Sequence, residues 1–124
     1  RDLTVTGVQT CALLICPELV GNFTRGNLHG GVISSVLDVT GGMVAWIGIM
    51  KKMDGQSFDE ISERFNKIGT IDIRVDYLRP GLGEYFIATG STLRTGNKVS
   101  VTRMELHNDK GILIAVGTGT YVVG

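Results

Sequence analysis

Cysteine and histidine are scarce, with two of each in 124 residues. Cys11 and Cys16 stand five apart near the start, with no His or Cys companion at metal-ligand spacing, so neither a zinc site nor a disulfide framework is expected. Net charge is lacking too. Twelve basic residues balance 12 acidic ones without a long run of either sign, which removes the electrostatic footprint of a nucleic-acid or anionic-membrane binder. An unbroken apolar run is also missing. The longest mainly apolar stretch, Leu28 to Met50, is interrupted by His29, Ser34, Ser35, Asp38 and five glycines, against the pattern of a lipid-spanning helix. There is no linker, internal repeat or low-complexity tract. These gaps describe a soluble, cytoplasmic, single-domain protein without metal or cofactor, whose partners are small molecules or its own copies.

What is present is 43% hydrophobic residues and 18 glycines. A chain of this size builds a real but small core, so association with another copy is expected. Residues 5–13, Val5-Thr6-Gly7-Val8-Gln9-Thr10-Cys11-Ala12-Leu13, resemble the translated end of a sequencing adapter; Leu14 departs from that pattern and Ile15 rejoins it. Residues 1–16 are therefore set apart as a non-native or disordered segment and 17–124 as the domain. The alternative is a Thr/Val-rich first strand. A foreign segment would leave one sheet edge partly unpaired.

Glu18 to Leu28 reads as an irregular loop, given Gly21, Asn22, Gly26 and Asn27 among few apolar residues. From Gly31 to about Met50, Val32, Val36, Val39, Met43 and Trp46 recur at helical spacing, while Ile33, Leu37, Val44 and Ile47 fill much of the rest. Such a helix needs cover on most sides, and Gly41, Gly42 and Gly48 allow a sheet or helix to come close. Ser57 before Phe58-Asp59-Glu60 caps a short surface helix. Strands follow. Ile71, Ile73, Val75 and Tyr77 are expected on one face and Asp72, Arg74 and Asp76 on the other, before a meander over about 84–94, 98–107 and 112–122. The fold class is α+β, an antiparallel sheet wrapped around a long central helix.

Chemistry concentrates at Gly26-Asn27-Leu28-His29-Gly30-Gly31. Glycines let the backbone turn, and the first amides of the helix they open are unpaired donors at the positive end of its dipole. Nine residues past His29 stands Asp38, the only ionisable side chain between His29 and Lys51. A charge in the middle of a buried helix needs a reason, and acyl transfer supplies one. Ser34 and Ser35 lack a partnering base and a nucleophile elbow, so they read as helix packing residues.

Pro17-Glu18-Leu19-Val20-Gly21-Asn22, His29-Gly30-Gly31 with Asp38, and Asp76-Tyr77-Leu78-Arg79-Pro80 together resemble the hotdog-fold acyl-CoA thioesterases of the phenylacetate-degradation (PaaI-type) group. The resemblance implies hydrolysis of an acyl-CoA to a free acid and coenzyme A. Asp38 would be nucleophile or general base, and the Gly30 amide would polarise the thioester carbonyl. It also implies a homodimer, or a dimer of dimers, with the site across the interface. A helix rises 1.5 Å per residue, so Asp38 lies roughly 10 Å along the axis from the glycine amides of its own chain. One carbonyl cannot meet both.

His29 either orients the turn or donates to the substrate. Asn22 is one candidate for the family's asparagine and Asn27 the other. Gly31 belongs to the substrate-binding turn. Arg94, Gly96, Asn97 and Lys98 form a basic hairpin suited to coenzyme A phosphates, or else a solvated turn. His107, Arg74 and Arg79 read as surface or interface residues. Met43, Val44, Trp46 and Ile47 line an acyl tunnel if they face an interface and are core otherwise. The competing functions are a non-catalytic acyl-CoA-binding module and an acyl-thioester dehydratase or hydratase; the latter pairs a histidine with an acid in other arrangements.

Overall fold

The computed structural model describes residues 8–14, 20–22 and 26–124, with side chains from Gly26 onward. Its elements run β1 (Val8–Leu14), β2 (Val20–Asn22), β3 (Asn27–Leu28), α1 (Gly30–Lys52), α2 (Phe58–Phe65), β4 (Gly69–Tyr77), β5 (Tyr85–Thr95), β6 (Val99–Asn108) and β7 (Leu113–Val122). Five strands form an antiparallel sheet in the order β1-β5-β6-β7-β4, and β2 pairs β3 apart from it. The expected α+β arrangement is present, with α1 packed across one face of the sheet.

One sequence expectation changes. The segment before His29 is not wholly irregular, because Val20 pairs Leu28 and Asn22 pairs Asn27 in the small β2–β3 ladder. Strands of two and three residues are too short for alternation to reveal them. Residues 8–14 form β1 and pair with β5 from Val8↔Ser91 to Leu14↔Tyr85, so the outer edge of β5 is covered over that length.

α1 is apolar because the sheet covers it. Ile33, Leu37, Val44 and Ile49 are buried along it, against Phe86, Met104, Leu106 and Tyr121 of the strands. By length and composition the helix would also cross a membrane. Its packing is that of a core helix. The close approach has a local cause: a Cβ on Gly41 would collide with the Tyr121 hydroxyl and lie 2.8 Å from Thr102 Oγ1 and 2.9 Å from Met104 Sδ. Any larger residue would lift α1 off the sheet at this point.

β4 departs from simple alternation. Its register against β7 runs Thr70↔Tyr121, then Asp72↔Thr120, so Ile71 is an extra residue. A bulge of this kind exchanges the two faces on either side of it. Ile71, expected beside Ile73 and Val75, is instead 54% exposed, and Thr70 takes the helix-facing place. The outer edge of β4 has no partner strand among the described residues.

Candidate active site

His29 is the N-cap of α1, and its Nδ1 accepts a hydrogen bond from the Gly31 N–H at 2.9 Å. The cap explains the second glycine, since a Cβ on Gly31 would lie 3.1 Å from that nitrogen. It also separates the two amides of the turn. The Gly31 N–H is occupied by His29, whereas the Gly30 N–H, first of the helix, has no partner among the described residues. On its other side the turn is held by Tyr77, whose hydroxyl donates to the Gly30 carbonyl at 3.0 Å. In this structure His29 braces the turn through Nδ1.

Asp38 sits half-buried on the second turn beyond Gly30, toward β4 and β7. Its Oδ1 accepts from the Thr70 hydroxyl at 2.9 Å and from the Tyr121 hydroxyl at 3.2 Å, and the same Tyr121 hydroxyl lies 3.0 Å from the Asp38 carbonyl oxygen. Burial first, and the neighbouring Asp38 carboxylate second, push the Tyr121 phenol well above its ordinary range. It serves as a donor and stays protonated. No charged side chain pairs with Asp38 among the described residues.

Thr70, Tyr77 and Tyr121 were not singled out for these tasks from sequence. Thr70 is hidden by the bulge. Tyr121 had a faint signal: Gly117 and Gly119 precede it on the same face of β7, and a Cβ on Gly119 would run into the tyrosine ring at 2.6 Å. A large ring following two glycines at alternate positions lies along its own strand.

The other candidates are dispersed. Asn22 and Asn27 face each other in the β2–β3 ladder; the Asn22 side chain lies outside the described residues, and the Asn27 Oδ1 is buried without a hydrogen-bond partner. Ser34 and Ser35 bond back to carbonyls of their own helix, at 3.1 Å and 2.8 Å to the Gly31 oxygen, which is a packing role. Arg94, Gly96, Asn97 and Lys98 do form one hairpin, with Val99 and Val101 bounding a depression of about 490 Å³. Arg64 fixes its backbone by donating to the Asn97 carbonyl at 2.6 Å, and Lys52 bonds the Thr95 carbonyl at 3.1 Å. That last contact puts the hairpin at the C-terminal end of α1, about 30 Å from Gly30 at 1.5 Å per residue. One chain does not bring hairpin and turn together. Val44 is core, Trp46 packs edge-on against Phe65 with ring centres 4.9 Å apart, and Ile47 remains partly exposed. No group of three or more metal-ligating side chains occurs among the described residues.

Comparison with known proteins fits this geometry. The model of the thioesterase superfamily matches residues 25–115. The medium/long-chain acyl-CoA thioesterase YigI of Escherichia coli K12 is 53% identical over 108 residues, which cover 87% of this chain and 70% of that protein. A Shewanella oneidensis protein described as related to the thioesterase superfamily superposes with a TM-score of 0.92 at 52% identity, over 95% of this chain and 77% of that one. A Bacillus halodurans protein solved with CoA superposes with a TM-score of 0.72 at 27% identity, over 99% and 72% of the two chains. A helix-opening glycine turn, a supported acid on the same helix and these likenesses converge: the chain belongs to the thioesterase superfamily and has its hotdog fold.

Proposed function

We propose that this chain hydrolyses acyl-CoA thioesters as a homodimer, with Asp38 of one protomer and the Gly30 N–H of its partner acting on the same carbonyl. The observation that carries this reading is the condition of the two groups. Among the described residues Asp38 is anchored through one oxygen only, and the Gly30 amide, first of α1, is left unpaired beside one that is capped. The activity named for the Escherichia coli relative and the CoA in the Bacillus halodurans structure support the substrate class. The relative's name favours medium or long acyl chains. Placement in the phenylacetate-degradation group rests on the motif residues alone. The CoA substrate supports a cytoplasmic location.

In the step proposed, the thioester oxygen gains charge against the Gly30 N–H as an oxygen nucleophile attacks the carbonyl carbon. The nucleophile is a water whose proton passes to Asp38, or Asp38 itself, whose acyl anhydride is then hydrolysed. The C–S bond breaks, the thiolate takes a proton, and acid and free coenzyme A leave. A single oxyanion donor is worth about 3 kcal/mol of barrier and a general base about a hundred- to ten-thousand-fold in rate.

The need for two copies follows from distance. Reacting groups must come within about 3 Å, whereas the two groups on one α1 are roughly 10 Å apart along the axis. The free edge of β4 offers the surface. That strand carries both Thr70, which holds Asp38, and Tyr77, which holds the Gly30 turn. Antiparallel pairing of β4 with its copy brings unlike ends together, and an isologous contact of this kind supplies two sites at once. A dimer of dimers would add the basic hairpin of Arg94 and Lys98 to the coenzyme A phosphates.

The test is thiol release from a panel of acyl-CoA substrates by the wild type and Asp38→Ala. The expected result is a loss of at least a hundredfold in turnover with the oligomer unchanged. Binding of acyl-CoA by the wild type with no product over hours would identify a non-catalytic binding module, and an altered acyl chain without thiol release a hydratase.

A further inference from the structure

The two oxygens of Asp38 are treated unequally. Oδ1 accepts from the Thr70 hydroxyl at 2.9 Å and shares the single Tyr121 proton, at 3.2 Å, with the Asp38 main-chain carbonyl at 3.0 Å, whereas Oδ2 has no hydrogen-bond partner among the described residues. Three features serve the buried member of those two hydroxyls. Gly41 leaves room for the Tyr121 hydroxyl under α1, Gly119 lets the ring lie along β7, and the Ile71 bulge sets Thr70 directly across from Tyr121 in the strand register. The Tyr121 hydroxyl meets the main-chain carbonyl as well as the carboxylate of Asp38, so it braces that residue of α1 at two points.

The surroundings leave the carboxylate dependent on these donors. Next to Asp38 on α1, Gly41 faces Thr102 and Met104 of β6, and Thr40 faces Gly90 of β5, none of them charged. The charged residues of β4, Asp72, Arg74 and Asp76, alternate to the face away from α1, where Arg74 and Asp76 pair at 3.5 Å. On α1 itself the other titratable groups are Lys51 and Lys52 at the far end, with His29 at the cap. Tyr121 is the one titratable group bonded to Asp38 among the described residues.

We propose that Tyr121 is a positioning residue of this site: its hydroxyl, set between the main-chain carbonyl and Oδ1 of Asp38, works with that of Thr70 to hold the acid by Oδ1 and reserves Oδ2 for the water or the thioester carbon. The inference rests on the reading of Asp38 as the reacting acid. The elevated phenol keeps its proton, so the Tyr121 hydroxyl stays a donor.

Tyr121→Phe separates this task from packing. With acyl-CoA as substrate, kcat falls about tenfold or more, the usual worth of a hydrogen bond to a charged group, while KM stays within about threefold. Replacing Tyr121 with 3-fluorotyrosine keeps the hydroxyl, so kcat stays within about threefold of the wild type. If Tyr121→Phe does not fold, Thr70→Val carries the test through the other hydroxyl on the same oxygen, with the same fall in kcat at an unchanged KM. A wild-type kcat in Tyr121→Phe, or a loss of kcat that the 3-fluorotyrosine variant shares, overturns the inference; where Tyr121→Phe does not fold, a wild-type kcat in Thr70→Val does so. Asp38→Ala run alongside tells the two levels apart: if it keeps full turnover, the assignment of Asp38 itself has failed, whereas its loss with an unaffected Tyr121→Phe removes only the tyrosine.

Discussion

The surroundings of Asp38 and the turn at Gly30 lie on one helix and are built to opposite degrees. Around Asp38 this chain supplies everything that positions the acid: a threonine from β4, a tyrosine from β7, and glycines that let both elements close on α1. At Gly30 it supplies a donor and a brace, His29 capping one amide and Tyr77 holding the carbonyl, and the Gly30 N–H has no partner among the described residues. One region is complete as a support and the other as an invitation. The difference is what the proposed shared site requires, in which each half is met by the other half from a second copy.

The sharpest way to break this comparison is to delete the donor without disturbing the turn. Gly30→Pro does so, because proline lacks the N–H and suits the first helical position, and His29 already has the extended backbone, φ −62° and ψ 135°, that a following proline requires. Turnover should fall about a hundred- to a thousandfold, as for loss of an oxyanion donor, with the helix content unchanged. Gly30→Ala, which keeps the N–H and whose Cβ would meet Tyr77 Cε1 at 3.4 Å, should lose far less. Near-wild-type thiol release by the proline variant would remove Gly30 from the chemistry.

A smaller effect is expected from the other region. Gly41→Ala places a methyl against Tyr121, Thr102 and Met104, and overpacking of this kind costs about 1–3 kcal/mol. It should lower the thermal midpoint and, by pushing Tyr121 off Asp38, cut kcat about tenfold. Destabilisation without any change in kcat would show that the close approach serves packing only.

Much of this was legible in the sequence, and the reasons are local. The three- and four-residue spacing from Val32 to Trp46 defined α1, Ser57 marked the start of α2, and short polar turns set the strands of the meander to within a residue of 85–95, 99–108 and 113–122. His29, Gly30 and Asp38 stood out because glycines and a lone acid are conspicuous against an apolar helix. What stayed hidden depended on register and distance. A one-residue bulge moved Thr70 to the helix side and Ile71 to solvent, and alternation carries no mark of where such an insertion falls. Tyr121 meets Asp38 across 83 residues of chain, a contact that exists only once β7 lies beneath α1. The short β2–β3 ladder was likewise invisible, having too few residues to show a period.

The central claim, that acid and amide come from different protomers, is tested most directly by mixing Asp38→Ala with Gly30→Pro, exchanging subunits, and measuring thiol release from an acyl-CoA. Each parent is inactive, but in a mixed two-fold dimer one site receives both intact groups, so an equal mixture should recover about a quarter of wild-type activity. No recovery, despite proven exchange of subunits, would contradict the shared site.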